Sequence, residues 1–148
     1  MVDRGPLPPF TVKLVGAEDT VRDGLARVMR GLAPLALCPD DASTVELVLA
    51  EALNNVVEHA LAGTSGTTQI EVRGSHNGTA LTITVVDQGA PMPQGKAPGG
   101  RVPDVAVDMP DMPEGGFGWF MIHTLAEDVT YARLGGENHL TLRLAVGL

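Results

Sequence analysis

The chain has 148 residues, and 44% of them are hydrophobic, which fits one domain spanning residues 1–148 with a sizeable core. Its formal net charge of −8 excludes most proteins that bind a nucleic-acid backbone directly, because an acidic surface repels phosphate. The same charge means that any bound phosphate compound needs local help from a metal ion, a helix N-terminus or a few basic side chains.

The sequence also limits where the protein is expected to be located and whether it can form a disulfide. Cys38 is the single cysteine, so an internal disulfide is excluded. The first ten residues do not form a signal peptide, and no stretch approaches the roughly 18 apolar residues of a membrane helix. A cytoplasmic protein without a membrane anchor is therefore expected.

The N-terminal part predicts one strand followed by two helices. Apolar and polar residues alternate over 10–15, and helical spacing follows over 18–32. The second helix is expected to begin at a capping box formed by Ser43 and Glu46, to run through Ala60 and to end before Gly63.

The C-terminal part predicts four strands and one helix. Two strands at 68–74 and 79–86 flank an Asn-Gly turn, and a long Gly- and Pro-rich loop or lid covers about 88–116. A helix over 117–126 precedes a final strand pair at 128–134 and 140–146, which a turn at Gly135 and Gly136 is expected to join. This order predicts an α/β (α+β) two-layer sandwich, with helices on one face of a mixed β-sheet.

A polar stripe marks the second helix. Glu51, Asn55 and His59 are spaced by four residues and therefore share one helix face. This polar stripe lies beside the apolar stripe that is expected to face the sheet, and an ordinary solvated helix edge gives the same pattern.

The second feature lies where a strand ends. Asp87 ends the predicted strand and Gly89 follows two residues later. A carboxylate accepts a hydrogen bond from an amino group, and glycine lets the backbone approach a flat ligand. A simple strand-ending turn explains the same residues, since Asp and Gly both favour turns.

Glycines also precede the third helix. Gly116 and Gly118 would leave backbone N–H groups free to face an anion at the helix start. Gly-x-Gly alone is a weak signal, and without a strand directly before it a Rossmann fingerprint is excluded.

Taken in order, the three features resemble the N, G1 and G2 boxes of the ATPase superfamily that includes histidine kinases, gyrase B, Hsp90 and MutL. The segments 51–59, 116–122 and 136–142 are most similar to the anti-sigma-factor serine kinases of the RsbW and SpoIIAB type. The resemblance implies a Bergerat-type ATP-binding fold with a long ATP lid, and ATP and Mg²⁺ as ligands.

The resemblance also implies residue roles. Glu51 would be the general base or would position the attacking group, Asn55 would bind Mg²⁺, and Asp87 would hold the adenine amino group. The remaining expected nucleotide contacts are three glycines, a lid lysine and a threonine that stands in for the superfamily's usual Gly-Thr pair: Gly89, Gly116, Gly118, Lys96 and Thr141.

The implied function is a serine/threonine protein kinase that phosphorylates an anti-anti-sigma (STAS) partner and sequesters a sigma factor, with homodimerisation implied by resemblance only. The alternative is a binding module in which nucleotide controls docking of a regulatory protein without phosphotransfer. The presence of Glu51 favours the enzyme.

Overall fold

A computed structural model describes residues 7–15, 18–60, 68–92 and 116–146. The lid residues 93–115, which include Lys96, lie outside this description, as does the side chain of His59. The elements in chain order are β1 (Leu7–Val15), α1 (Glu18–Gly31), α2 (Pro39–Asn55), a π-helical turn (Val56–Ala60), β2 (Gln69–His76), β3 (Leu81–Asp87), α3 (Gly116–Leu125), β4 (Asp128–Leu134) and β5 (Glu137–Leu144).

The strands form one five-stranded sheet in the order β1-β2-β3-β5-β4. The two-layer α/β class is confirmed, but the expected mixed sheet is wrong for the described strands, because all four strand pairs are antiparallel. The reason lies in the connection from β3 through α3 to β4. β3 and β4 run in the same direction on either side of α3 in the chain, and β5 lies between them, antiparallel to both.

The helices cover one face of the sheet. On β3, Ile83 and Val85 are buried in the core, whereas Thr82 and Thr84 alternate with them on the open face. The core is completed from α2 by residues at helical spacing, including Val45, Val48, Leu49, Ala52 and Leu53, all of them fully buried. Any β3 side chain at an odd-numbered position therefore points toward the helical layer.

The start of α2 differs from the prediction. The helix begins at Pro39, with Cys38 as its N-cap residue and no side-chain capping bond, so the capping box at Ser43 and Glu46 is wrong. Proline at the first helical position has its φ already set, and Asp40 and Asp41 place negative charge at the positive end of the helix dipole. The helix therefore needs no capping side chain further along.

Both predicted turns are confirmed. Asn77 Oδ1 accepts hydrogen bonds from the backbone N–H groups of Thr79 and Ala80, and Gly78 has a φ of 102°. Gly135 and Gly136 have φ values of 57° and 80°, as a tight two-residue hairpin requires. Because this turn is so short, β5 starts earlier than the sequence pattern indicates.

Within the described part of the chain, none of the helices has the length and apolar character needed to cross a bilayer.

Candidate functional site

The polar stripe of α2 is partly buried. Glu51 is half-buried, and one turn later Asn55 is only 7% exposed. Its amide nitrogen Nδ2 is buried and has no hydrogen-bond partner among the described residues. The helix widens into the π-helical turn directly after Asn55, a geometry that often accompanies functional sites. An unpartnered buried amide at this point fits a ligand better than a solvated helix edge.

The start of α3 lies against the same stripe. Gly118, the third residue of α3, is buried, and a Cβ atom built on it would lie 2.6 Å from Glu51 Oε2. The structure therefore brings the predicted base and the predicted glycine together. Gly116 is the first residue of the same helix.

At the end of β3 the structure holds a buried carboxylate. Asp87 is 3% exposed, and its position in the strand directs it toward the helical layer with Ile83 and Val85. Its Oδ1 atom accepts hydrogen bonds from the Gly89 backbone N–H at 2.8 Å and from the Asn138 side-chain amide at 2.9 Å. Two donors on one oxygen fix the side chain and compensate part of the cost of burying its charge.

Asn138 is a residue that sequence reasoning missed. It is 4% exposed and lies directly opposite Asp87 in the β3–β5 register. Besides Asp87, its amide nitrogen donates to the Ala90 carbonyl at 2.8 Å, while its oxygen accepts from the Tyr131 hydroxyl and from Arg133 Nη1 at 3.0 Å. Exchanging the amide's oxygen and nitrogen would place oxygen against the Asp87 carboxylate, so the network fixes its orientation.

The same network reaches the backbone that follows β3. Arg133 Nη1 donates to the Gly89 carbonyl at 2.7 Å, and the Tyr131 hydroxyl accepts from the Met92 N–H at 3.0 Å. The β4–β5 hairpin thus holds the first residues after Asp87 in place. A signal was present in the sequence: Asn138 is the one polar member of an otherwise apolar alternation with Leu140, Leu142 and Leu144.

Thr141 does not join this group. It pairs with Thr84 across the open face of the sheet, where the two hydroxyls lie 3.1 Å apart. Asp87 lies an odd number of residues from Thr84 and therefore faces the opposite side. Thr141 therefore lies on the face opposite Asp87, which corrects the expectation that it contacts the nucleotide near the adenine. The β5 residue that contacts Asp87 is Asn138.

An antiparallel sheet with an acidic strand end, a helix that carries a glutamate and a buried amide, and a glycine-bearing helix start define a class of ATP-binding domain. The chain belongs to the histidine kinase-like ATPase domain family, whose model HATPase_c_2 matches residues 15–144. The superfamily expected from the sequence is thereby confirmed.

Two solved structures are similar in fold. The RsbU and RsbW domains of Rv1364c from Mycobacterium tuberculosis share 18% identity with a TM-score of 0.65, covering 94% of this chain and 32% of that one. The histidine kinase domain of the blue-light activated histidine kinase from Erythrobacter litoralis EL346 shares 17% identity with a TM-score of 0.52, covering 85% of this chain and 61% of the other. The chain thus spans less than two thirds of either protein. No curated protein matches the sequence.

Proposed function

We propose that this domain is an ATP-dependent serine/threonine protein kinase that phosphorylates a STAS-domain partner in a partner-switching pathway. The observation that carries the proposal is the contact between the Glu51 carboxylate and the first turn of α3, because it sets a proton acceptor beside a helix start that suits phosphate. The family membership supports ATP as the phosphate donor.

Asp87 is the residue proposed to recognise adenine. Its Oδ1 is engaged by Gly89 and Asn138, which leaves Oδ2 for the exocyclic amino group of adenine. A carboxylate accepts but does not donate, so a carbonyl at the same position of guanine would face it unfavourably. Selection of ATP over GTP follows from this arrangement.

Phosphotransfer is assigned to the α2 stripe. A serine or threonine hydroxyl of the partner attacks the γ-phosphorus, the bond to the ADP oxygen breaks, and Glu51 takes the hydroxyl proton. Asn55 would hold Mg²⁺ through its amide oxygen, the kind of ligand that this ion takes. Its buried Nδ2, a donor without a partner among the described residues, would suit a phosphate oxygen of the nucleotide. Bound there, Mg²⁺ would neutralise phosphate charge and complete its shell with phosphate and water oxygens.

The partner proposal rests on resemblance to the RsbW type and on the fold shared with the RsbU and RsbW domains. In this pathway the kinase also sequesters a sigma factor, and phosphorylation of the STAS protein controls which of the two it holds. A homodimer in the cytoplasm is the expected working form.

The decisive experiment incubates the purified chain with Mg-ATP and each STAS protein of its own genome, followed by mass spectrometry for phosphoserine and phosphothreonine. Glu51→Gln is the test variant, and Glu46→Gln, an exposed glutamate of the same helix, is the matched control. We expect transfer by the wild type and by Glu46→Gln and its loss in Glu51→Gln.

If the wild type binds Mg-ATP but transfers phosphate to no STAS protein, the kinase proposal fails. The non-catalytic binding module then predicts that ATP changes the affinity for a regulatory partner, which the same proteins can test in a pull-down with ATP and with ADP.

A further inference from the structure

Gly118 has a neighbour that its expected role does not account for. The sequence predicts that this third residue of α3 contacts the nucleotide through its backbone. In the structure the space where a side chain would stand is taken by Glu51: Oε2 would lie 2.6 Å and Cδ 3.5 Å from a Cβ at this position. The Glu51 carboxylate therefore occupies the space that a side chain at position 118 would need.

The size of the overlap matters. Non-bonded carbon and oxygen atoms need well over 3 Å, so any side chain at position 118 would push the carboxylate away by roughly 1 Å. The displaced atom is the end of a flexible side chain, which can rotate aside at little expense in stability. The helix itself favours alanine over glycine. A side chain at 118 would thus spare the fold and move the carboxylate.

We propose that Gly118 is a positioning residue for Glu51: its missing side chain lets the Glu51 carboxylate lie against the first turn of α3, and this contact sets where the general base stands. The inference rests on the proposed function for its catalytic meaning. A displacement of about 1 Å in a positioned group can lower a rate about 100-fold.

A positioning role and a nucleotide-contact role for Gly118 predict different effects of Gly118→Ala on the transfer rate and on ATP affinity. If Gly118 positions Glu51, Gly118→Ala lowers the phosphotransfer rate by about 100-fold and leaves the ATP dissociation constant within about threefold, because the nucleotide contacts are unchanged. In a Glu51→Ala background, Gly118→Ala has no further effect on the rate. If Gly118 instead admits the nucleotide, its substitution weakens ATP binding in both backgrounds.

A second readout needs neither nucleotide nor partner. The carboxyl-carbon NMR signals of the glutamates are recorded for the wild type and for Gly118→Ala, and the Glu51 signal is assigned by its loss in Glu51→Gln. We expect Gly118→Ala to shift the Glu51 signal and to leave that of Glu46, exposed on the same helix, in place.

An unmoved Glu51 signal would overturn the proposal, and so would a moved signal with an unchanged transfer rate, or loss of ATP affinity in the Glu51→Ala background. A moved signal in a protein that neither binds ATP nor transfers phosphate would instead refute the proposed function, while the contact between the two residues would stand.

Discussion

Two buried polar side chains of the site differ in how well the fold satisfies them. Asp87 receives two hydrogen bonds on Oδ1, whereas Asn55 Nδ2 has no partner among the described residues. An unsatisfied buried amide group costs about 1–3 kcal/mol, and such groups are rare in folded proteins. The satisfied residue is held in one orientation, and the unsatisfied one is available for a ligand.

Replacing Asp87 tests the proposed recognition of adenine. We expect Asp87→Asn to weaken ATP binding by about 1.5–3 kcal/mol, roughly 10- to 150-fold, because the acceptor for the adenine amino group loses its charge. Isothermal titration calorimetry measures the change, and Asp128→Asn, an exposed aspartate at the start of β4, is the matched control. Equal ATP affinity in a folded Asp87→Asn protein would remove Asp87 from the site.

Replacing Asn55 tests the metal assignment. We expect Asn55→Ala to reduce affinity for Mg-ATP at least tenfold but to change affinity for ATP in EDTA much less, because the lost group is a metal ligand. The neighbouring Asn54 is exposed, so Asn54→Ala should behave as the wild type. Equal losses with and without Mg²⁺ would show that Asn55 contacts the nucleotide rather than the metal.

At the scale of elements, the sequence predicts the order of strands and helices because hydrophobic periodicity and turn chemistry are local. It predicts the α2 stripe and Asp87 for the same reason. It does not give the neighbours of β5, since pairing between distant strands is set by packing of the whole sheet. The resemblance points to Thr141 by residue type, whereas Asn138 is in contact with Asp87 because the strand register places it there.

The two faces of β5 give a direct comparison. We expect Asn138→Leu to weaken ATP binding at least tenfold, because Asp87 loses a donor and is left free to rotate, and to lower the free energy of unfolding by about 1–3 kcal/mol. Thr141→Val changes the open face and should leave ATP affinity within about twofold. Calorimetry and urea denaturation of both variants provide the measurements. The reverse ranking would restore Thr141 to the site.

At the scale of the whole molecule, the net charge of −8 opposes an anionic ligand. Dissolved salt screens this repulsion, with a Debye length of about 8 Å at 0.15 M. We therefore expect affinity for metal-free ATP to rise as KCl is increased from about 0.02 to about 0.3 M, and to vary less when Mg²⁺ is in excess. Fluorescence titration in EDTA tests this. Affinity that falls with salt in EDTA would mean that a locally positive field dominates the site.

The insertion of β5 between β3 and β4 has a consequence for how the protein folds. The hydrogen bond from Asn138 to Asp87 spans 51 residues, and the Thr84–Thr141 pair spans 57. Such non-local pairs form late, after the entropy of closing a long loop has been overcome. A partly folded chain without β5 lacks the Asn138 donor to Asp87, so the proposed adenine recognition would require the complete sheet. Nucleotide binding then draws the folding equilibrium toward the native state by mass action. On a ribosome, the growing chain would acquire affinity for ATP in one late step, when the final hairpin docks.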